Sequence, residues 1–228
     1  MTGNDRISAL EQQLQQLTHE MGIMQDAHEV RCLMHKHGYY IDKCLYDEAL
    51  ALLDDNCEFH FLGGIFRGKA SVQRLYYGRF RKNFVGDVNG PVYGFLLDHP
   101  MMQDVVDVAP DRKTAQVRLR GIIMAGRHES AGGQQLQWWE GCLAENECVK
   151  DGGVWKIKVM NYRPVWHADY ETGWAHTRPH WISFYTDTFP QNPTGPDELE
   201  DPVPPLWPDT DVFPFHYPHP VTGKYWAK

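Results

Sequence analysis

Five side chains of this sequence combine acid, base or donor chemistry with positions that apolar surroundings would sharpen: His37, Tyr40, Asp42, Glu140 and Arg163. His37 falls on the apolar stripe of a helical pattern with Val30, Leu33, Ile41 and Cys44, and Tyr40 and Asp42 lie beside it. A lone core histidine is commonly just hydrogen-bonded, so His37 carries that reading beside a catalytic one. Tyr40 can donate a hydrogen bond to a leaving hydroxyl or a carbonyl oxygen. Glu140 shares strand parity with Trp138, Cys142, Ala144 and Cys148. A carboxyl among such neighbours is raised in pKa and can shuttle protons near neutrality; the alternative is a pair with Arg163 or Arg120. Arg163 is expected to share a face with Trp155, Ile157, Val159 and Asn161. A guanidinium there needs an accepting partner, either a structural carboxylate or a substrate oxygen. Phe61 and Trp138 would supply aromatic wall, and Arg67 and Asn161 complete the candidate substrate contacts.

Other chemistries are weaker. His60 has the opposite parity to Cys57, Phe59 and Phe61 and is expected to point away from the core. His167, His176 and His180 lie near Asp169 and Glu171, but Pro179 interrupts any helix that would gather them, so no metal site is assigned. There is no glycine-rich phosphate loop. A net charge of -8 argues against a nucleic-acid partner, which needs clustered Lys and Arg. The five cysteines form no CxxC pair and read as reduced. The N-terminus has no apolar leader and no segment is apolar enough to span a membrane, so a cytoplasmic location is expected.

The elements that must position these groups follow from periodicity. Residues 1–25 carry Ile7, Leu10, Leu14, Leu17, Met21 and Met24 at steps of three and four, the pattern of a helix that docks on the body or on another subunit, with a break at Gly22. A second helix is expected from Asp26 to Leu53, a strand from Cys57 to Leu62 and a helix from Lys69 to Phe84. Strands follow at Val92 to Leu97, Met101 to Val108, Thr114 to Ala125, Gln135 to Val149 and Val154 to Arg163. Helices followed by a meander indicate an α+β domain, with one curved antiparallel sheet wrapping the helices, over residues 26–168. Residues 169–228 differ: eleven of the fifteen prolines lie between Pro179 and Pro220, interleaved with aromatics. That composition reads as an extended arm packed on the body or a neighbour.

Four segments carry a family resemblance. Tyr39, Tyr40, Ile41, Asp42 and Lys43, followed by Tyr46, Asp47, Glu48 and Ala49, resemble the first-helix signature of SnoaL-like proteins. Leu53 to Phe59 resembles their acidic step into the first strand, Gly64 to Ala70 their Gly-aromatic-Arg-Gly lead into the next helix, and Asp151 to Ile157 their closing hairpin. The order of these motifs resembles the nuclear transport factor two-like superfamily, a cone-shaped α+β barrel. The long N-terminal helix, Trp-rich late strand and Pro-rich arm together resemble most the lignin diarylpropane lyases of that superfamily.

The resemblance implies one chamber between sheet and first helix, no cofactor, and a dimer or trimer built through the convex sheet. Asp42 matches the position of the dehydratases' catalytic carboxylate, and His37 falls where several relatives place a tyrosine. The dehydratases' histidine before the middle strands would align with Gly94 or Phe95, His99 coming about four residues late, so a simple His/Asp dyad is not expected. The leading expectation is a lyase on a small aromatic substrate, releasing formaldehyde from a diarylpropane diol. Its rivals are a dehydratase, isomerase or cyclase of the same fold, and a non-catalytic small subunit of a ring-hydroxylating dioxygenase.

Overall fold

The computed structural model describes residues 3–132, 136–176 and 183–226. Its first helix, α1, runs Gly3–Asp42 without the expected interruption at Gly22. Gly22 is instead a place of close approach: a Cβ there would fall 2.1 Å from Nη1 of Arg112, which crosses the helix to reach Asp26. The apolar stripe of residues 7–24 docks nowhere on the body, and its six side chains remain exposed. The second half of α1 enters the core with Val30, Leu33 and Met34.

The helix expected to reach Leu53 stops at Asp42. Cys44 adopts a left-handed φ of 51°, and the N–H groups of Lys43 and Leu45 both donate to the Tyr40 carbonyl, closing the turn. A short α2 (Tyr46–Ala51) follows, and β1 begins earlier than expected, spanning Leu53–Phe61. After β2 (Gly64–Arg67), α3 (Lys69–Leu75), a π-helical turn (Tyr76–Arg81) and α4 (Lys82–Val85) form one nearly continuous helical stretch.

The remaining strands are β3 (Phe95–Asp98), β4 (Met101–Val108), β5 (Thr114–Arg127), β6 (Leu136–Asp151), β7 (Val154–Asp169) and the short β8 (Glu198–Leu199). They form one eight-stranded sheet in the order β3-β5-β6-β7-β1-β2-β8, with β4 also laid on β5. All pairs are antiparallel except β1 with β7. The core lies between this curved sheet and the helices, as expected of an α+β cone.

The parity of β7 is the main departure. Cys148 pairs with Ile157 and Glu147 with Val159, leaving Lys158 as an extra residue, a β-bulge held by its Nζ bonds to Asp54 Oδ1 and the Asn56 carbonyl. One inserted residue exchanges the faces of those after it, here as far as Val165, a second extra residue opposite the Gly141–Cys142 step. Trp155 and Ile157 are buried as expected, but beyond the bulge Met160 and Tyr162 turn inward, and Asn161 and Arg163 turn outward.

The Pro-aromatic arm lies on this chain's own body: residues 184–197 pack against α3 and the π-helical turn, with Tyr185 joining the core beside Phe66, and the later residues cross the outer face of the sheet. Arg118 donates to the carbonyls of Phe213 and Pro214, Trp207 N–H donates to the Val165 carbonyl, and Arg67 binds Glu198 at 2.8 Å. The arm thereby covers part of the outer face that the resemblance assigns to subunit contacts. Among the described residues no helix is long and apolar enough to cross a membrane.

Candidate functional site

Between α1 and the sheet lies a cavity of about 140 Å³. It matches in size the roughly 150 Å³ apolar cavity that accepts benzene, so it accommodates a single ring. Met34, His37, Gly38 and Ile41 bring α1 to one wall at helical spacing. Phe61, Phe80, Phe84 and Trp138 form an aromatic wall, with Phe61 edge-on to Phe80 and Phe80 stacked on Phe84. The π-helical turn supplies Tyr76 and Phe80 to the lining.

The polar groups stand in two sets. His99 occupies the corner between β3 and β4, both of which pair along β5. Its Nδ1 lies 2.8 Å from Oδ1 of Asp42, which also accepts the His99 backbone N–H at 2.8 Å. A carboxylate at Nδ1 fixes the proton there and leaves Nε2 as the ring's acceptor. His99, Gly38 and Met101 also line an outside groove with Asp42, so His99 stands between cavity and exterior.

The second set is on the sheet. Glu140 lines the cavity and accepts a hydrogen bond from Tyr162 Oη at 3.1 Å. Burial raises its pKa to about 6, against the opposing pull of the nearby His99 and the Tyr162 hydrogen bond. Its expected partners Arg163 and Arg120 do not bind it. His167 Nε2 approaches to 3.8 Å, but burial lowers His167 to about 3, so near neutrality this is not an ion pair. Tyr162 is pushed well above the usual tyrosine range, chiefly by burial and then by the Glu140 charge, and keeps its proton.

Two further lining groups can be assigned. His37 Nε2 lies 3.0 Å from Tyr76 Oη, and burial, followed by the nearby His99, lowers His37 to about 4. It is therefore neutral through the physiological range. Burial pushes the Cys142 thiol to about 12, which leaves it protonated and a poor nucleophile.

Of the residues singled out from sequence, His37, Glu140, Phe61 and Trp138 line the cavity, and Asp42 is joined to it by its hydrogen bond to His99. Four others lie outside. Tyr40 is two positions from Asp42 on the same helix and so lies across the axis from it; it packs into the core instead. Arg67 is half exposed at the sheet edge, paired with Glu58 and Glu198. Arg163 faces the arm, with its guanidinium 4.5 Å from the Phe213 ring centre and 3.7 Å from Glu200. Asn161, displaced by the same bulge, reaches the site only through its backbone N–H, which donates to the lining residue Asn146.

Sequence reasoning missed His99 and Tyr162. The signal for Tyr162 was present: large apolar residues change parity between Ile157 and Met160, which marks an inserted residue. His60 points outward as expected, bridging Glu58 and Glu200 at 2.6 Å each. Among the described residues no three His, Cys, Asp or Glu side chains converge as metal ligands; His180 lies outside those residues.

Residues 23–161 match the SnoaL-like domain family. A candidate scytalone dehydratase from Novosphingobium aromaticivorans superposes with a TM-score of 0.52 at 18% identity, covering 70% of this chain and 93% of that one. The LinA structure gives 0.55 at 13% identity, covering 71% and 99%. A type 2 LinA hexachlorocyclohexane dehydrochlorinase gives 0.52 at 14% identity, covering 72% and 99%. These identities speak to the fold alone. A comparison with curated protein sequences gave no match. The family match spans more than half of the chain and includes the buried half of α1 and β7 as far as Asn161, so the protein belongs to the SnoaL-like family.

Proposed function

We propose that this protein is an acid-base enzyme that eliminates water or a comparable leaving group from a small, largely apolar, single-ring substrate. The observation that carries the reading is the Asp42–His99 pair at the cavity wall, within electrostatic reach of the largely buried Glu140. His99 Nε2 takes the proton from a carbon next to an activating group. The released electron pair forms the double bond, and the departing hydroxide takes a proton from Glu140, with Tyr162 hydrogen-bonded to that carboxyl. Water leaves, and solvent returns one proton to Glu140 and removes one from His99. The apolar lining excludes bulk water from the developing charges.

The similar folds of a candidate scytalone dehydratase and a dehydrochlorinase are consistent with elimination chemistry. The diarylpropane and formaldehyde expectation finds no support among them, and a 140 Å³ cavity is small for a two-ring substrate.

A usable probe is 3-hydroxycyclohexanone, whose dehydration gives a conjugated enone followed by ultraviolet absorbance. Enone formation and solvent deuterium uptake next to the carbonyl are expected above the buffer rate; neither appearing across a panel of monocyclic β-hydroxy ketones would remove the proposal. A pH profile assigns the acid. Glu140 must be protonated to donate, so kcat is expected to fall as pH rises through about 6, the value to which burial lifts it. Glu140→Gln should lower kcat about a hundredfold and abolish that limb. An unchanged limb in this variant would exclude Glu140 as the donor.

A further inference from the structure

From Asn4 to Met21 every residue of α1 except Ala9 is exposed, and the helix projects from the body as a stalk about 30 Å long. Ile7, Leu10, Leu14, Leu17, Met21 and Met24 are 57–73% exposed along it. Their spacing is strictly three, four, three, four, three, which places them at the a and d positions of successive heptads. A face that packs on a sheet is usually wider than this two-position seam. A lone helix of this length in water is marginal, and so long an apolar strip rarely stays open.

We infer that this stalk pairs with the stalk of a second copy of the chain as a two-stranded coiled coil. The heptad seam is complementary to itself, and an ion pair is available in either strand direction: Arg6 at a g position meets the partner's Glu11 if the strands are parallel, or the partner's Glu20 if antiparallel. Twelve such side chains together remove on the order of 1,200 Å² from water, the lower edge of what specific interfaces bury. The chain's own Pro-aromatic arm is already engaged on the body, through Asp197 on α3, Glu198 on β2 and Phe213 on the outer face of the sheet. A lipid surface fits poorly, because the stalk's polar face has Arg6 against Asp5, Glu11 and Glu20 and carries no lysine.

Sedimentation equilibrium at about 10 µM tests this on the full chain. Wild type is expected at twice the 26.4 kDa chain mass. The double variant Leu14→Glu and Leu17→Glu should halve the assembly mass and reduce the helical circular dichroism as the unpaired stalk frays. Both sites contact nothing in the body, so its thermal transition and the elimination activity should be retained. A variant assembly of unchanged mass, a monomeric wild type, or a threefold fall in mass would overturn the two-stranded pairing. So would a monomeric wild type that cosediments with vesicles of phosphatidylcholine and phosphatidylglycerol. None of these outcomes depends on the activity proposed for the cavity.

Discussion

His99→Ala is expected to lower kcat on a monocyclic β-hydroxy ketone by about a thousandfold, because positioned proton transfer by one group contributes roughly 10²- to 10⁴-fold. KM should change far less, since the ring is held chiefly by Phe61, Phe80 and Trp138. The companion variant, Asp42→Asn, distinguishes a dyad from a lone base. Its side-chain oxygen can still accept the His99 backbone N–H that the carboxylate accepts now. That same Oδ1 also faces Nδ1, so the amide can keep both hydrogen bonds and the tautomer, but it removes the negative charge that stabilises the imidazolium formed when Nε2 takes the substrate's proton. A loss of about a hundredfold or more is expected from this isosteric change. The double variant should be scarcely worse than His99→Ala, because Asp42 acts through the imidazole. Additive losses, or a fall of less than tenfold in His99→Ala, would remove the dyad from the mechanism.

Asp26→Ala is expected to destabilise the fold by about 3 kcal/mol, within the range for removing one partner of a buried charge cluster. Asp26 is fully buried where α1 enters the body. It accepts from Arg112 and Lys150 at 2.5 Å each and from the Trp155 indole at 3.2 Å, tying the helix to the β4–β5 loop and the β6–β7 hairpin. Burial disfavours its charge, but these donors outweigh that cost and lower its pKa to about 2 from an ordinary 3.8. The sign follows from linkage. A depressed pKa contributes stability that is fully present above about 4 and is lost as pH falls from there through about 2. Urea unfolding should therefore show a gap between wild type and Asp26→Ala that is constant from pH 7 to 5 and narrows below 4. A gap that stays constant down to pH 3 would show that Asp26 acts through packing and not through its charge.

Much of the architecture was legible in the residues. Periodicity of three and four marked the helices, and β4 begins and ends where alternation and its flanking turns placed it, at Met101 and Val108. The parity that grouped Trp138, Glu140, Cys142 and Ala144 proved to be that of the cavity lining, because β6 runs regularly through that stretch. The same rule failed on β7, where Lys158 enters as an extra residue. Parity carries a local irregularity along a strand until another offsets it, so the bulge at Lys158 exchanged Asn161 and Arg163 for Met160 and Tyr162 before a second extra residue, Val165, enters.

The residue pattern alone therefore supplied an inventory: a carboxyl among apolar neighbours on a late strand, an acidic residue beside the apolar stripe of the second helix, and a narrow apolar seam ahead of the core. Those follow from local spacing and from the preference of apolar side chains to leave water. The tertiary structure decided which of these groups meet. His99 and Asp42 are 57 positions apart and sit on separate elements. Only the corner that sends both β3 and β4 along β5 carries the imidazole back to the helix end. A contact of that kind depends on chain path, on bulges and on the angle of a turn, and sequence spacing encodes none of these directly.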